Sequence, residues 1–329
     1  MKRAVKLLGR GLIGLGMAGA ALFALGPYEP VDLAVSFDPS PLSGGVDAYF
    51  DAVEARFSDI TQGTKKRVIW AETPEAKTPV SVLYVHGFSA SSEEIRPVPD
   101  EIAASLGANL VFTRLAGHGR GSAAMAEPTV NDWMQDVAEA LAVARAVGDK
   151  VVVISTSTGG TLMALAELDP SLRKDVVAKI FVSPNFALHG AMERVLTLPA
   201  ARIWVPWVAG VEREFEPQNE GQKTYWTTRY PTVALIPMAA AVRAVQKQEW
   251  SVAQTPALFW YAPEDQVVDA SRTTRIAENW GGGSTIGHPQ LAAEDDPYAH
   301  VIAGKHLSPS QTNRAVTAML EWLETQGIE

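Results

Sequence analysis

The amino-acid sequence predicts an α/β protein with a doubly wound, mostly parallel sheet and an inserted, largely helical cap. Short apolar runs rich in β-branched residues alternate with segments of helical periodicity, as in a parallel sheet covered on both faces. The interval between the strands that end at Ser183 and begin at Pro256 is too long for a simple connection and has its own helical pattern, which indicates an insertion. A chain of 329 residues can bury the core that this architecture needs.

The composition narrows the range of functions. Apolar residues make up 47% of the chain and charged residues 20%, which is an ordinary globular balance, and the formal net charge is −9. Because no Lys/Arg run longer than three residues occurs beyond the first ten residues, nucleic acid is not expected as a partner. The chain has no cysteine, which excludes disulfides, thiolate catalysis and metal sites built on cysteine.

Residues 1–26 have the pattern of a membrane anchor or a signal peptide. An uncharged apolar run over residues 11–26 follows a basic end that contains Lys2, Arg3, Lys6 and Arg10. A small-residue cleavage site exists at Ala18-Gly19-Ala20, but cleavage there leaves apolar residues on the mature end, so an anchor is favoured. The basic end is expected to stay in the cytoplasm. We therefore expect an exported protein that is membrane-associated through its N-terminus, or periplasmic or extracellular after cleavage.

The secondary-structure elements follow a lead-in segment over residues 27–66, in which four prolines mark extended chain. Apolar residues at helical spacing predict one amphipathic helix within it, over residues 45–57. Strands are predicted at residues 67–71, 80–85, 110–114, 150–155, 178–183, 256–262 and 284–287. Helices are predicted at residues 131–147, 158–167 and 310–326. The predicted division is a core of residues 67–184 and 254–329 and a cap insertion of residues 185–253.

The predicted cap is rich in tryptophan. Its four tryptophans are Trp204, Trp207, Trp226 and Trp250. A tryptophan in such a segment either packs in the core or lines a pocket over the carboxyl edge of the sheet. Trp204 and Trp207 are the candidate substrate-binding residues.

The stretch from Val151 to Gly160 runs from a buried strand through small residues into a helix. This is the layout of a nucleophile elbow, in which the residues two before and two after the nucleophile are small so that the backbone can bend. The frame Ser155-x-Ser157-x-Gly159 makes Ser157 the candidate nucleophile, although Ser155 stands where glycine is commonest. The alternative interpretation is that Ser157 or Thr158 only caps the following helix.

The loop His86-Gly87-Phe88 follows another buried strand. Acyl transfer needs backbone N–H groups directed at the developing oxyanion, one from the residue after the nucleophile and one from such a loop. The N–H groups of Thr158 and Phe88 are the candidates for this oxyanion hole, and Gly87 allows the loop to approach closely. For His86 we favour a structural role in bracing the loop over a catalytic one.

An acid and a histidine follow later strands in the order that such an enzyme requires. Asp265 follows a strand in a proline-containing turn and is the candidate acid that orients the base, with Glu264 and Asp269 as alternatives. His300 precedes the last helix and is the candidate general base. The alternative bases are His288 and His306.

Residues 67–327 resemble the α/β-hydrolase superfamily. Within it, the sequence is similar to monoacylglycerol lipases and to bacterial carboxylesterases with an inserted cap. The resemblance is carried by the His86-Gly87-Phe88 loop, the turn at residues 115–119 (Leu-Ala-Gly-His-Gly), the Ser157 elbow, the Asp265 turn and His300. It implies Ser157 as nucleophile, His300 as base, Asp265 as orienting acid, and Phe88 with Thr158 as the oxyanion hole.

This set of residues predicts a serine hydrolase that cleaves carboxylic esters with an apolar acyl group through an acyl-enzyme. The substrate is expected to be a small-molecule ester or a lipid, and the reaction requires no metal and no organic cofactor. The same scaffold also supports an acyltransferase or a serine peptidase. A catalytically silent module that binds a lipid or a partner is the alternative from another class.

Overall fold

A central sheet of seven strands organises the computed structural model, which describes residues 14, 16, 17, 19–190 and 192–329. The strands of this sheet are β1 (Arg67–Ile69), β2 (Thr78–Val85), β3 (Asn109–Phe112), β4 (Gly148–Thr156), β5 (Val176–Val182), β8 (Ala257–Trp260) and β9 (Ser284–Gly287), and a separate hairpin consists of β6 (Glu212–Glu214) and β7 (Arg229–Pro231). The order across the sheet is β1-β3-β2-β4-β5-β8-β9. All seven predicted strands are present, most of them shifted by one to three residues at an end.

Every neighbouring pair in this sheet is parallel except the pair at one edge, where β1 runs antiparallel to β3. The predicted mostly parallel sheet is therefore confirmed. Residues 70–77, which join β1 to β2, are too few for the crossover helix that a parallel connection needs, and this accounts for the reversed edge strand.

Helices cover both faces of the sheet. They span Val46–Glu54, Val98–Ser105, Val130–Val147, Thr158–Glu167, Pro170–Arg173, Met192–Leu196, Ala201–Ala209, Glu220–Tyr225, Leu235–Val245, Ala270–Glu278 and Thr312–Thr325. One apolar core lies under the helices at 130–147, 158–167 and 235–245, and a second lies under those at 98–105 and 312–325. The sequence patterns missed the helices at 98–105 and 270–278, because each is short and presents few large apolar residues.

The segment between β5 and β8 is largely helical, as predicted, and it also contains the β6–β7 hairpin. Its last helix, Leu235–Val245, packs against the helix Thr158–Glu167 and contributes to the first core. Trp250 also belongs to that core, where its ring stacks on Trp280. The end of the 185–253 segment thus packs with the sheet, and the division into core and cap by residue number stays a prediction.

The anchor or signal predicted for residues 1–26 falls largely outside the described residues. Among those that the structure describes, no helix has the length and apolar character to cross a membrane. The lead-in segment lies against the cap, where the Ala200 N–H donates to the Pro27 carbonyl at 2.7 Å and Arg202 pairs with Glu29 at 2.6 Å. The start of the lead-in is thus held beside the helix Ala201–Ala209.

Candidate active site

Ser157 lies at the turn between β4 and the helix Thr158–Glu167. Its φ of 49° and ψ of −116° are strained values for a residue with a side chain. Gly159 permits the turn, because a Cβ on it would lie 2.2 Å from the Val85 carbonyl oxygen. Ser155 is accommodated, and its hydroxyl lies 3.4 Å from the Ile180 carbonyl oxygen. The Ser157 side chain makes no capping hydrogen bond, which excludes the interpretation that it serves as a helix cap in this conformation.

The fold brings Ser157, His300 and Asp265 into one hydrogen-bonded chain. Nε2 of His300 lies 3.0 Å from Oγ of Ser157, and Nδ1 lies 2.7 Å from Oδ2 of Asp265. All three residues are buried, with 6%, 8% and 3% of their surfaces exposed respectively. This arrangement allows the imidazole to accept the serine proton while its other nitrogen donates to the carboxylate.

Asp265 is held by its own turn. Its Oδ1 accepts the backbone N–H groups of Val267 and Val268 at 2.8 and 2.9 Å, so Oδ2 is left for the histidine. The alternative acids are elsewhere, since Glu264 is exposed and Asp269 caps the helix Ala270–Glu278. The structure therefore brings Asp265 alone of the three candidates to His300.

The loop that carries His300 is organised by Asp296, a residue to which the sequence assigned no role. Oδ2 of Asp296 accepts the backbone N–H groups of His300 and Val301 at 3.1 and 2.9 Å. Gln218 of the cap donates to Oδ1 at 2.9 Å, which links the cap to the same loop. Asp296 thus holds the loop backbone from which the imidazole projects.

The alternative histidines lie in other surroundings. His288 Nδ1 lies 2.7 Å from the Tyr261 carbonyl oxygen, and the His306 ring packs against the rings of Tyr225 and Trp226.

For His300, burial by itself lowers the pKa, but the charge and hydrogen bond of Asp265 outweigh it, so the pKa is raised above 6.5. The raised pKa favours proton transfer from serine to His300.

The candidate oxyanion donors are available where the sequence predicts them. Thr158 is the first residue of its helix, whose early N–H groups have no intrahelical acceptor, and Phe88 follows directly on Gly87. Within the described part of the chain, the N–H groups of Phe88 and Thr158 donate no hydrogen bond. Both amides are therefore free to bind a developing oxyanion.

His86 braces the loop His86-Gly87-Phe88, which is called the oxyanion loop below. This is the role that we favoured from the sequence. Its Nε2 accepts the Leu115 N–H at 3.1 Å, so its Nδ1 carries the proton and donates to the Gly87 carbonyl at 2.9 Å. Burial lowers the pKa of His86 to about 3, so the imidazole is neutral at neutral pH. The 115–119 turn thus packs on the oxyanion loop, and the rings of His86 and His118 lie 5.1 Å apart.

The two candidate substrate-binding tryptophans lie in the outer part of the cap. Trp204 packs in a cluster with Leu196 and Val205 and donates its indole N–H to the Pro199 carbonyl at 3.0 Å. Trp207 is 87% exposed. The structure does not bring either of them into the group formed by Ser157, His300 and Asp265, and a substrate contact for them stays a prediction.

Cap residues that sequence reasoning missed lie closer to the site. The ring of Tyr230, on β7, packs edge-on against Phe88 with 5.4 Å between centroids, and the Thr227 N–H donates to the Ser89 carbonyl at 2.7 Å. No motif marks these residues, because they reach the oxyanion loop only when the cap folds over the sheet. The buried Glu94, also missed, accepts the N–H of Gly87 at 2.7 Å.

Comparison with known proteins shows the family to which the chain belongs. The model of the alpha/beta hydrolase family matches residues 82–314. The thermostable monoacylglycerol lipase of Bacillus sp. (strain H-257) is 29% identical over 191 residues, which are 58% of this chain and 72% of the lipase. The family match covers more than half of the chain and includes the elbow, the oxyanion loop, Asp265 and His300.

Solved structures share the fold at low sequence identity. A structure of the metagenome-derived lipolytic enzymes LipS and LipT aligns with a TM-score of 0.63 and 18% identity, over 81% of this chain and 99% of the other. A soluble variant of monoglyceride lipase from Saccharomyces cerevisiae, in complex with a substrate analogue, aligns with a TM-score of 0.60 and 14% identity, over 82% and 95%. The chain belongs to the alpha/beta hydrolase family.

Proposed function

We propose that the protein is a serine hydrolase that cleaves carboxylic esters with an apolar acyl group through an acyl-enzyme intermediate. The proposal rests on the hydrogen-bonded chain from Ser157 through His300 to Asp265, and is supported by the N–H groups of Phe88 and Thr158, which donate no hydrogen bond within the described residues. In this proposal Ser157 is the nucleophile, His300 the general base and Asp265 the residue that orients and stabilises the imidazolium.

The first half of the reaction forms the acyl-enzyme. His300 accepts the Ser157 hydroxyl proton on Nε2 while Oγ attacks the ester carbonyl carbon. The negative charge that develops on the carbonyl oxygen is bound by the N–H groups of Phe88 and Thr158, each of which contributes about 3 kcal/mol to the barrier reduction. His300 then gives its proton to the departing alkoxide, so an alcohol leaves and the acyl group stays on Ser157.

The second half releases the acid. Water in the space vacated by the alcohol loses a proton to Nε2 of His300 and attacks the acyl-enzyme carbonyl. The same two N–H groups bind the second oxyanion, and the returning proton frees Oγ of Ser157. The products are one carboxylic acid and one alcohol, and the enzyme returns to its starting protonation state.

An apolar acyl group is supported by the surface that the cap presents to the oxyanion loop. Phe88 and Leu235 pack against a small apolar cluster of Met125, Tyr230 and Ala234, which connects the cap to the loop that carries Phe88. Burial of each methylene of an acyl chain against such a surface contributes about 0.8 kcal/mol. The Bacillus relative is a monoacylglycerol lipase, which agrees with a substrate of this class.

We also propose that the enzyme is exported and works beside a membrane, tethered by residues 1–26. Two features support this placement. The outer cap exposes a group of large apolar side chains, namely Ile203, Trp207, Val208 and Val211. The lead-in that follows residue 26 is held against the same part of the cap by the pair of Glu29 and Arg202. Vesicle sedimentation of the full chain tests the proposal: Trp207→Ser should weaken binding without changing the free energy of unfolding.

Hydrolysis of p-nitrophenyl esters, from acetyl to long acyl chains, tests the catalytic proposal. We expect activity that peaks at one chain length and disappears in Ser157→Ala, whose fold is checked by circular dichroism. Activity that survives in Ser157→Ala would show that the nucleophile is wrongly assigned. A folded wild-type protein with no activity on any ester would favour the acyltransferase or peptidase alternative if a fluorophosphonate labels Ser157, and a silent binding module if it does not.

A further inference from the structure

A second carboxyl group, that of Glu94, lies beside the proposed active site and has no part in the mechanism above. Glu94 is 2% exposed and follows the oxyanion loop by six residues. Its Oε2 accepts two hydrogen bonds, one from the Gly87 N–H at 2.7 Å and one from the Tyr84 hydroxyl at 3.0 Å. The Tyr84 hydroxyl is in turn 3.1 Å from Oγ1 of Thr156, next to the nucleophile. A network of buried polar groups thus joins Glu94 to both sides of the site.

The position of Gly87 shows how close Glu94 is to the nucleophile. A Cβ on Gly87 would lie 2.7 Å from Oε1 of Glu94 and 3.0 Å from Cβ of Ser157. The carboxyl and the serine therefore both lie close to the same point beside Gly87, where a methyl group would clash with the carboxyl. Oε2 of Glu94 accepts the hydrogen bonds from Gly87 and Tyr84, whereas Oε1 accepts none among the described residues. Oε1 is therefore the carboxyl oxygen that remains without a partner beside the site.

Glu94 and His86 hold Gly87 from two directions. Glu94 takes the Gly87 N–H, and Nδ1 of His86 donates to the Gly87 carbonyl at 2.9 Å. Because the peptide between Gly87 and Phe88 is planar and trans, fixing the Gly87 carbonyl also fixes the direction of the Phe88 N–H on the opposite side. With both ends of Gly87 held, the Phe88 N–H is fixed in one direction, opposite to the Gly87 carbonyl.

Among the described residues, Glu94 forms no ion pair with a lysine or arginine side chain, and His300 is the basic group that acts on its carboxyl. The titratable groups that act on its carboxyl are Tyr84 and His300, whereas the adjacent Glu93 pairs with Arg96 and Lys305 at 2.6 and 3.0 Å. Burial raises the pKa of Glu94 to about 7, against the opposing effects of the Gly87 N–H, the Tyr84 hydroxyl and His300. A Glu94 carboxylate stabilises the imidazolium of His300, and it adds to the effect of Asp265 in raising the pKa of His300.

We propose that Glu94 is a positioning residue for the ester hydrolysis proposed above: its carboxyl fixes the Gly87–Phe88 peptide as an oxyanion donor and its charge helps His300 to hold a proton. The two effects are separable by substitution. Glu94→Gln keeps an acceptor for the Gly87 N–H and removes the charge. Glu94→Ala removes both and leaves the Gly87 N–H buried without an acceptor.

The first measurement is steady-state kinetics on the best p-nitrophenyl ester. Because a misplaced oxyanion donor weakens binding of the transition state more than that of the substrate, Glu94→Ala should lower kcat by about 10- to 100-fold with little change in KM. Glu94→Gln should keep most of kcat. In the Gln variant the acid limb of the kcat/KM profile should move to lower pH, because loss of the negative charge lowers the pKa of His300. A purely structural role for Glu94 would leave this limb in place.

The second measurement does not need turnover. NMR titration of the His300 imidazole in the full chain should give a lower pKa in Glu94→Gln than in wild type. Glu93→Gln, which removes the neighbouring charge directed at Arg96 and Lys305, should leave it unchanged. An unchanged His300 pKa in folded Glu94→Gln, or a wild-type kcat in folded Glu94→Ala, would overturn the proposal. If the wild-type protein hydrolyses no ester, the proposed hydrolysis fails while the titration still decides the role of Glu94.

Discussion

Asp265 divides its two carboxylate oxygens between the backbone and His300. Oδ1 accepts the N–H groups of Val267 and Val268, and Oδ2 lies 2.7 Å from Nδ1 of His300. The backbone hydrogen bonds prevent the carboxylate from rotating, so the imidazole is held in the tautomer that leaves Nε2 free to accept the Ser157 proton. The raised pKa of His300 is the electrostatic consequence of this contact.

Replacement of this carboxylate tests the relationship directly. We expect Asp265→Asn to lower kcat by about 10³- to 10⁴-fold, because an amide no longer holds the productive tautomer or stabilises the imidazolium. The pKa of His300 should also fall, since the charge that raises it is removed. Kinetics from pH 5 to 9 on a p-nitrophenyl ester would measure both effects. A variant with wild-type kcat would rule out Asp265 as the orienting acid.

The elbow gives a second prediction, which compares its two small flanking positions. Gly159→Ala should destabilise the protein by at least about 2 kcal/mol, because the new Cβ would meet the Val85 carbonyl oxygen at 2.2 Å and the His86 carbonyl oxygen at 2.7 Å. Ser155→Gly removes a small side chain whose hydroxyl makes a long 3.4 Å contact, and it should cost less than about 1 kcal/mol. Urea unfolding of both variants provides the comparison. Equal stabilities would mean that the turn relaxes more easily than its close contacts indicate.

A buried ion pair between the end of the helix Thr158–Glu167 and strand β5 gives a prediction about stability. Nζ of Lys179 lies 2.6 Å from Oε2 of Glu167, and both side chains are almost fully buried. Glu167 also accepts the backbone N–H groups of Gln254 and Thr255, whereas the one further partner of Lys179 among the described residues is the Met163 carbonyl. Glu167→Ala should therefore cost about 3–5 kcal/mol by leaving a buried cation unpaired.

The matched variant Lys179→Met should cost less than Glu167→Ala, because Glu167 keeps its backbone donors and methionine fills most of the lysine volume. Urea unfolding at neutral pH measures both free energies of unfolding. A larger loss of stability in Lys179→Met than in Glu167→Ala would show that the backbone hydrogen bonds do not compensate the Glu167 charge.

Buried neutral histidines give the stability a predictable dependence on pH. Burial lowers the pKa of His118 to about 4, while the same residue titrates near 6.5 in the unfolded chain. Between these values the unfolded chain binds a proton that the folded protein does not, so the free energy of unfolding falls as the pH falls from about 6.5 to about 4. The contribution of His118 is about 1.4 kcal/mol per pH unit within that window.

His118→Phe isolates this contribution. The raised pKa of Glu94 makes the free energy of unfolding rise as the pH falls, opposite to the effect of His118. The Glu94 contribution is the same in wild type and variant, so it cancels in the comparison. The new ring should be accommodated beside Phe88 and Trp133, whose rings already pack against His118. Urea unfolding at pH 4.5, 5.5 and 6.5 should show a shallower decline for the variant. Parallel declines would mean that His118 takes up its proton in the folded protein.

Local sequence patterns were enough to predict most of the fold. The β-branched runs, the helical spacing at residues 131–147 and the small residues around Ser157 act over a few neighbours, so the order of strands and the elbow are readable without tertiary information. The parallel order then requires Ser157, Asp265 and His300 to converge, because the carboxyl ends of parallel strands meet at one edge of the sheet.

Contacts between segments that are distant in the sequence decided which side chains come together at the candidate site. The choice of Asp265 over Glu264 and Asp269 depends on which oxygen reaches His300, and the choice of His300 over His288 and His306 depends on how Asp296 holds one loop. Local sequence patterns also do not predict three further features of the structure. These are the packing of Tyr230 on Phe88, the exposure of Trp207 and the burial of Glu94 beside Gly87.

The sequence by itself therefore determined the architecture and the chemical type of the site, since both follow from short-range sterics and from the chain order of a few residues. Only the tertiary structure decided which of several equivalent side chains occupy the site. A hydrogen bond requires its two atoms to lie about 3 Å apart. Ser157 and His300 are 143 residues apart along the chain, and a distance of that kind is set only when the sheet, its helices and the cap have packed.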